Sequence, residues 1–232
     1  MATTGICNSF KAESLQAAHC FNATQSISCT NTSGQSTFTV SSTVGIAVGM
    51  VVTGTGVPSS GANGNIVAVT SATGFTIYGA TTANVSSITI TGDSFLMALI
   101  KVSPSLTYGP TQTAYGSGSG TPTTSNIGTD EASGTGYTAG GIPLTNVTPA
   151  LSTSTATTSF SPSPSLTSAT ISVTAGIVYN NNATKRLGAA SGLGNGRAVG
   201  VYDFGGTQTV TNGTMTFTMP VNAAGTALIQ LS

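Results

Sequence analysis

The sequence predicts an all-β protein: an antiparallel β-sandwich or jelly-roll-like domain with a short N-terminal helix and a small inserted β domain. Segments rich in Val, Ile, Thr and Phe recur about every ten residues between Gly, Ser and Asn, which is typical of a sandwich or barrel. They do not alternate with helical segments, so a parallel sheet is not expected. Only 4% of the 232 residues are charged, whereas 43 are Thr and 30 are Ser.

This composition predicts a polar surface made of hydroxyl groups rather than charges. A soluble monomer usually relies on net charge to stay apart from its neighbours, but here the net charge is zero. The pattern therefore favours a protein that works assembled, secreted or packed against another molecule. Five scattered basic residues argue against a nucleic-acid partner, because phosphate binding needs a cluster.

The sequence also gives no membrane or export signal. The longest apolar run, Phe95–Val102, is far shorter than the roughly 20 residues that span a bilayer. The N-terminus has no basic region followed by an apolar run. We therefore expect no membrane partner, and synthesis and folding in a cytoplasm.

Residues 5–21 form the one helical pattern in the chain. Asn8 or Ser9 can cap the helix, and Phe10 and Phe21 fall on one face of a 3.6-residue period. The helix can cover an open end of the sandwich, or it can be an arm that docks on a neighbouring subunit. In either case we assign residues 1–21 to the main domain.

Residues 22–92 are predicted to form the small inserted β domain. They contain no charged residue, and glycine-rich turns separate their strand-like segments. The predicted strands lie at residues 36–40, 49–53, 65–70, 74–78 and 87–91.

The main domain is predicted to span residues 93–232. Phe95–Val102 is a continuous apolar run and so a buried strand. Residues 129–141 place Asp130 and Glu131 before four glycines that surround Tyr137. Glycines at this density indicate turns, bulges or close approach of another backbone, so we expect a bent, glycine-hinged sheet edge.

The C-terminal third carries antiparallel meander signals. Strand patterns cover residues 169–180 and 197–204, and a further strand closes the chain at 226–231. We expect hairpin turns at Gly205-Gly206 and at Asn212-Gly213.

Few residues could carry chemistry. His19 is the single histidine, no serine-elbow motif accompanies it, and a packed or solvent-facing role is expected. Asp130 and Glu131 are adjacent, so in a strand they point to opposite faces. They could bind Ca²⁺ with backbone carbonyls, or pair with Lys101, Arg197 or a partner subunit. We expect no catalytic residue, no cofactor and no metal, and we expect the three cysteines to be small buried thiols.

Several short motifs, taken in order, resemble a family of small virion structural proteins of tailed bacteriophages. The resemblance covers residues 1–21 and 93–232, whereas residues 22–92 resemble β modules that recur in phage particle proteins. It implies an all-β sandwich or jelly-roll on the virion and leaves head or tail open. The motifs are Gly5–Lys11, Phe95–Leu99, Glu131–Gly141, Gly176–Asn180, Ala198–Gly206 and Asn212-Gly213.

Of the two places on the virion, our first hypothesis is the head: a capsid decoration, or cement, protein on the capsid surface, synthesised in the host cytoplasm. It would bridge subunits of the major capsid protein as a homotrimer, since closed cyclic symmetry must match the lattice. The alternatives are a tail protein (tube or fibre-base subunit) and a receptor- or glycan-binding module with the insertion as its head; an enzyme is not expected. The expected interface residues are Phe10, Tyr137, Asp130, Glu131, Lys185 and Arg186.

Overall fold

A computed structural model of the chain describes residues 1–16, 18–116, 127–152, 154–181 and 196–231. Every pair of named strands is antiparallel, and the all-β prediction is confirmed. The elements follow in chain order as β1 (Gly5–Ile6), α1 (Asn8–Leu15), β2 (Gln25–Asn31), β3 (Thr37–Val40), β4 (Val51–Thr53), β5 (Ile66–Ser71), β6 (Gly74–Ile77), β7 (Val85–Thr91), β8 (Phe95–Lys101), β9 (Ile142–Leu144), β10 (Ala150–Ser152), β11 (Thr155–Thr158), β12 (Ser165–Asn180), β13 (Arg197–Thr216) and β14 (Ile229–Leu231).

The main sheet has five strands in the order β1–β13–β12–β8–β9. The long strands β12 and β13 pair along most of their length, and β8 lies on the other side of β12. Met97, Ala98, Leu99 and Ile100 of β8 are all buried, so both faces of this strand are covered, as its continuous apolar run predicts. A three-stranded sheet, β10–β11–β14, contributes Ile229 to the same apolar core.

A separate six-stranded sheet, in the order β4–β7–β2–β3–β6–β5, lies wholly within residues 22–92. It has its own apolar core, in which the rings of Phe38 and Phe75 stack with centroids 5.2 Å apart. β2 pairs with both β7 and β3, yet the sequence does not predict it. Ile27 is its only large apolar residue, so the alternation that marks a strand is nearly absent.

The predicted short N-terminal helix is present as α1, but it spans only Asn8–Leu15 and ends well before Phe21, where the helical pattern of residues 5–21 ends. Gly5–Ile6 instead pairs with β13, and Cys7 is the N-cap residue without a side-chain capping bond, so neither predicted residue caps the helix. Beyond the helix, the ring of Phe21 stacks on that of Phe95 with centroids 4.3 Å apart. Pairing at the sheet edge and burial of this aromatic ring outweigh the local helical pattern.

The two predicted C-terminal hairpins are also wrong. β13 continues through Gly205-Gly206 and Asn212-Gly213, and its register against β12 shifts at both places. Gly205 has φ +73° and Asn212 has φ +48°, a left-handed conformation that both hairpin turns and β-bulges use. Asn212-Gly213 therefore lies at a β-bulge, and Gly205-Gly206 lies in a larger irregularity in which residues 204–207 stand opposite Thr174. Neither reverses the chain, because the partner strand β12 extends past both.

Candidate functional site

The glycine-rich segment 129–141 forms the edge of the main sheet, as the sequence predicts. Lys101 N donates to the carbonyl of Asp130 at 3.0 Å, and Ala132 N donates to the carbonyl of Leu99 at 2.8 Å. The following residues leave β8 and form a bridge to β12 at Thr135. The chain then returns to β8 as β9. Residues 133–141 are thus a loop between two stretches that pair with the same strand.

Two glycines in this segment are required by close backbone approach. A Cβ at Gly134 would lie 2.3 Å from the carbonyl oxygen of Thr170. A Cβ at Gly141, which has φ +106°, would lie 2.8 Å from the backbone of Met97. The expectation that another backbone passes near these glycines is confirmed.

Asp130 and Glu131 point into different surroundings, as adjacent residues in an extended segment should. Asp130 is fully buried, and its carboxylate accepts from four donors. These are Ser105 N at 2.9 Å, Leu106 N at 3.1 Å, the Tyr108 hydroxyl at 2.7 Å and Lys101 Nζ at 3.0 Å. Of the roles predicted for it, the ion pair with Lys101 is confirmed.

These donors decide the charge state of Asp130. Burial by itself raises the pKa of this carboxyl group, but the hydrogen bonds from Ser105, Tyr108, Lys101 and Leu106 outweigh it and lower the pKa to about 2. Asp130 therefore ties the loop at 105–108 to the sheet edge as a carboxylate at neutral pH. Both carboxylate oxygens of Asp130 already accept hydrogen bonds, which argues against the alternative in which they bind Ca²⁺.

Glu131 organises a cluster of tyrosines on the other side. Its Oε1 accepts from the Tyr137 hydroxyl and from Gly140 N, both at 2.7 Å, and its Oε2 accepts from the Tyr115 hydroxyl at 2.9 Å. The rings of Tyr115 and Tyr179 stack with centroids 4.3 Å apart. Burial, and then the nearby Tyr115 and Glu131, raise the pKa of Tyr179, so its hydroxyl stays protonated and donates to the carbonyl of Gly140.

The hydroxyl group of Tyr137 is hydrogen-bonded within the chain and is not free to bind a partner. It accepts from Leu99 N at 3.1 Å while donating to Glu131. Burial raises the pKa of Tyr137. The hydrogen bond from Leu99 N lowers this pKa, and the carboxylate of Glu131 raises it further. The hydroxyl thus joins the edge strand to the carboxylate, and it stays protonated throughout the neutral range.

Replacing Tyr137 with Phe should lower the free energy of unfolding by about 2 kcal/mol, because Leu99 N and Glu131 each lose a hydrogen-bond partner. Urea unfolding monitored by far-UV circular dichroism measures this. Tyr78→Phe is the matched control: Tyr78 is 51% exposed, so a change within about 0.5 kcal/mol is expected. Equal effects of the two substitutions would contradict the role given to Tyr137.

A second polar cluster, not predicted from the sequence, joins α1 to the long strands. Glu13 pairs with Arg197 of β13 and accepts from His19 Nε2 at 2.8 Å. His19 Nδ1 lies 3.0 Å from Asn180 Nδ2, which also donates to Asp93 Oδ2 at 2.7 Å. Asp93 in turn accepts from Cys20 N at 2.8 Å. No sequence motif could have revealed a set drawn from five separate places along the chain.

The chemistry of this cluster fits a role in holding the fold together and not a role in catalysis. Burial alone would raise the pKa of Glu13, but hydrogen bonds from His19 and Arg197, together with their charges, lower it. Both ring nitrogens of His19 already have partners, so the ring is not set to activate a serine or cysteine. The thiol of Cys7 has its pKa raised to about 12 by burial and by nearby Glu13, so it stays protonated and unreactive.

The expected interface residues are only partly available to a partner. Phe10 and Asp130 are 1% and 0% exposed, so the prediction that their side chains form an interface is wrong. Phe10 instead packs its ring against Phe21 in the core, which its helical pattern could not distinguish from docking on another subunit. Glu131 and Tyr137 are half-buried and hydrogen-bonded within the chain. Lys185 and Arg186 lie outside the described residues.

In the part of the chain that the structure describes, the internal clusters leave few charges at the surface. Of the eight charged side chains there, only Lys11 and Asp203 are exposed. The others are buried or half-buried, most of them in the hydrogen bonds above. Among these described residues, most of the exposed polar side chains are Ser and Thr.

No protein-family model, curated protein or solved structure matches this chain. Within the described residues, no cluster of three His, Cys, Asp or Glu side chains could hold a metal ion. The same ranges contain no helix long and apolar enough to cross a membrane.

Proposed function

We propose that this chain is a structural protein of a bacteriophage particle, and specifically a capsid decoration protein that stabilises the head by bridging major capsid subunits. The observation that carries the proposal is the nearly uncharged, hydroxyl-rich surface on an all-β fold. Such a surface has little to keep copies apart in solution. It costs less to bury than a charged surface, because few charges must be removed from water.

The order of the short sequence motifs adds support, since it resembles phage virion proteins. The internal supports fit a mechanical role as well. Asp130 and Glu131 each hold a loop to the sheet edge through several hydrogen bonds. These bonds stabilise the fold at the places where its strands end. Many copies with modest contacts could then act together on one shell.

The proposed partners are the major capsid protein and further copies of this chain. Three copies around a local threefold axis would match the symmetry of a capsid lattice. The half-buried Tyr137 and the exposed glycines beside it remain candidates for these contacts. The insertion at 22–92 would face either the shell or the solvent. The copy number of the chain on the particle does not depend on that orientation.

The copy number of this chain on purified particles tests the proposal. Heads and tails are separated, and the protein is quantified by gel densitometry against the major capsid protein. Hundreds of copies that stay with heads are expected. A few copies, or copies that move with isolated tails, would overturn the decoration role and favour the tail alternative. Absence from both fractions would overturn the virion role altogether.

A further inference from the structure

Among the described residues, part of one edge of the main sheet has no strand partner. On the side of β13 that faces away from β12, β1 pairs only with Gly200 and Val201, and Ala114 forms a bridge at Arg197. In the described part of the chain, no strand pairs with residues 207–216 on that side. An open edge presents unpaired backbone N–H and C=O groups, which can pair with another strand.

Two of the usual protections of such an edge, charge and proline, are missing from residues 204–216. Natural edge strands carry charges, prolines or bulges that prevent pairing. Register shifts against β12 at Gly205-Gly206 and at Asn212-Gly213 bound this part of the edge on both sides. Between them lie residues 207–211, which are Thr, Gln, Thr, Val and Thr. Two copies meeting at this stretch would bring no like charges together.

Partly buried apolar side chains lie on one face of the main sheet. A groove of about 500 Å³ on this face reaches from β13 across β12 to the buried Met97 of β8, and its β13 wall includes Phe204, Val210 and Met215. Val210 and Met215 pack against the main core but are only partly buried. A strand added to the edge would cover part of this apolar surface, so pairing would also remove apolar area from water.

We propose that residues 207–211 pair in antiparallel fashion with the same residues of a second copy of this chain. A twofold axis perpendicular to the sheet makes this edge self-complementary. It aligns threonine-rich segments, whose side chains interact favourably across strands. The same axis keeps Val210 of both copies on one face, next to the groove.

This inference rests on the part of the proposed function in which copies of the chain contact one another, and it names that contact. Being twofold, the contact is distinct from a threefold contact within a trimer and would join two such units. It requires neither the capsid nor any other partner. It can therefore be tested on the isolated full-length chain.

The test introduces like charges at the edge with the double substitution Thr209→Lys and Thr211→Lys. In sedimentation velocity at matched concentrations, the wild-type species should have twice the mass of the variant. Like charges placed opposite each other cost several kcal/mol, so self-association should weaken roughly 100-fold or more. The control, Ser165→Lys with Thr167→Lys, adds the same charge at exposed positions of β12 and should keep the wild-type mass.

Hydrogen exchange on the wild type gives a readout that does not depend on the variant folding. Amides in residues 207–211 should exchange more slowly at high than at low protein concentration. Equal mass of wild type and edge variant, or exchange independent of concentration, would overturn the pairing. A chain that pairs in solution but is absent from phage particles would instead overturn the proposed function and leave the pairing intact.

Discussion

Asp130→Asn should lower the free energy of unfolding at neutral pH by about 3 kcal/mol, the largest loss we expect from a single polar substitution. The carboxylate is fully buried and accepts from two backbone amides, the Tyr108 hydroxyl and Lys101 Nζ. An amide of the same shape can accept through one oxygen only, so donors on its other side lose their partner. Urea unfolding monitored by circular dichroism measures the change.

Asp203→Asn is the matched control. Asp203 is exposed and accepts one backbone hydrogen bond, from Gly205 N. The same chemical change should therefore alter stability by no more than about 0.5 kcal/mol. Similar losses in the two variants would mean that the donor set around Asp130 does not stabilise the fold.

The loss from Asp130→Asn should also depend on pH. The folded-state pKa of about 2 lies below the ordinary aspartate value of 3.8, so the unfolded chain takes up a proton first as the pH falls. The stabilisation is complete above about pH 4 and is lost between about pH 4 and pH 2. The difference in the free energy of unfolding between wild type and Asp130→Asn should therefore decrease by about 2 kcal/mol from pH 4 to pH 2. A stability difference that stays constant with pH would contradict the view that the ionised carboxylate of Asp130 is its source.

Gly141→Ala should destabilise the protein by about 4 kcal/mol, the largest effect we expect from a single added methyl group. Gly141 has φ +106°, and a Cβ there would lie 2.8 Å from both the carbonyl carbon and the oxygen of Met97. Met97 lies in the buried strand β8, so its backbone cannot move without disturbing the sheet. The left-handed conformation costs about 1 to 2 kcal/mol, and the overpacking adds about 1 to 3 kcal/mol.

Gly34→Ala separates the two contributions. Gly34 has φ +83° but no atom within 4 Å of an added Cβ. Its substitution should therefore show the conformational cost alone, about 1 to 2 kcal/mol. Thermal and urea unfolding of both variants give the comparison. If Gly141→Ala costs no more than Gly34→Ala, close approach to Met97 is not what requires the glycine.

Local patterns in the sequence predict much of this fold because short-range physics decides those features. Most of the apolar run at Phe95–Val102 forms β8, whose residues 97–100 are buried on both faces, since no polar alternation leaves one side for water. Adjacent Asp130 and Glu131 point to opposite sides because extended backbone alternates its side chains. The density of glycine in residues 133–141 indicates the close backbone contacts that Gly134 and Gly141 make.

The sequence by itself thus determined the all-β class, the buried strand and the glycine-hinged edge, each from residues near one another in the chain. Only the tertiary structure decided that Asn212-Gly213 bulges within β13, because the same left-handed conformation serves a hairpin or a bulge until β12 lies alongside. It likewise decided that Phe10 is core and that Glu13, His19 and Arg197 share one cluster. Those contacts join positions far apart along the chain, and long-range pairing leaves no local pattern to recognise.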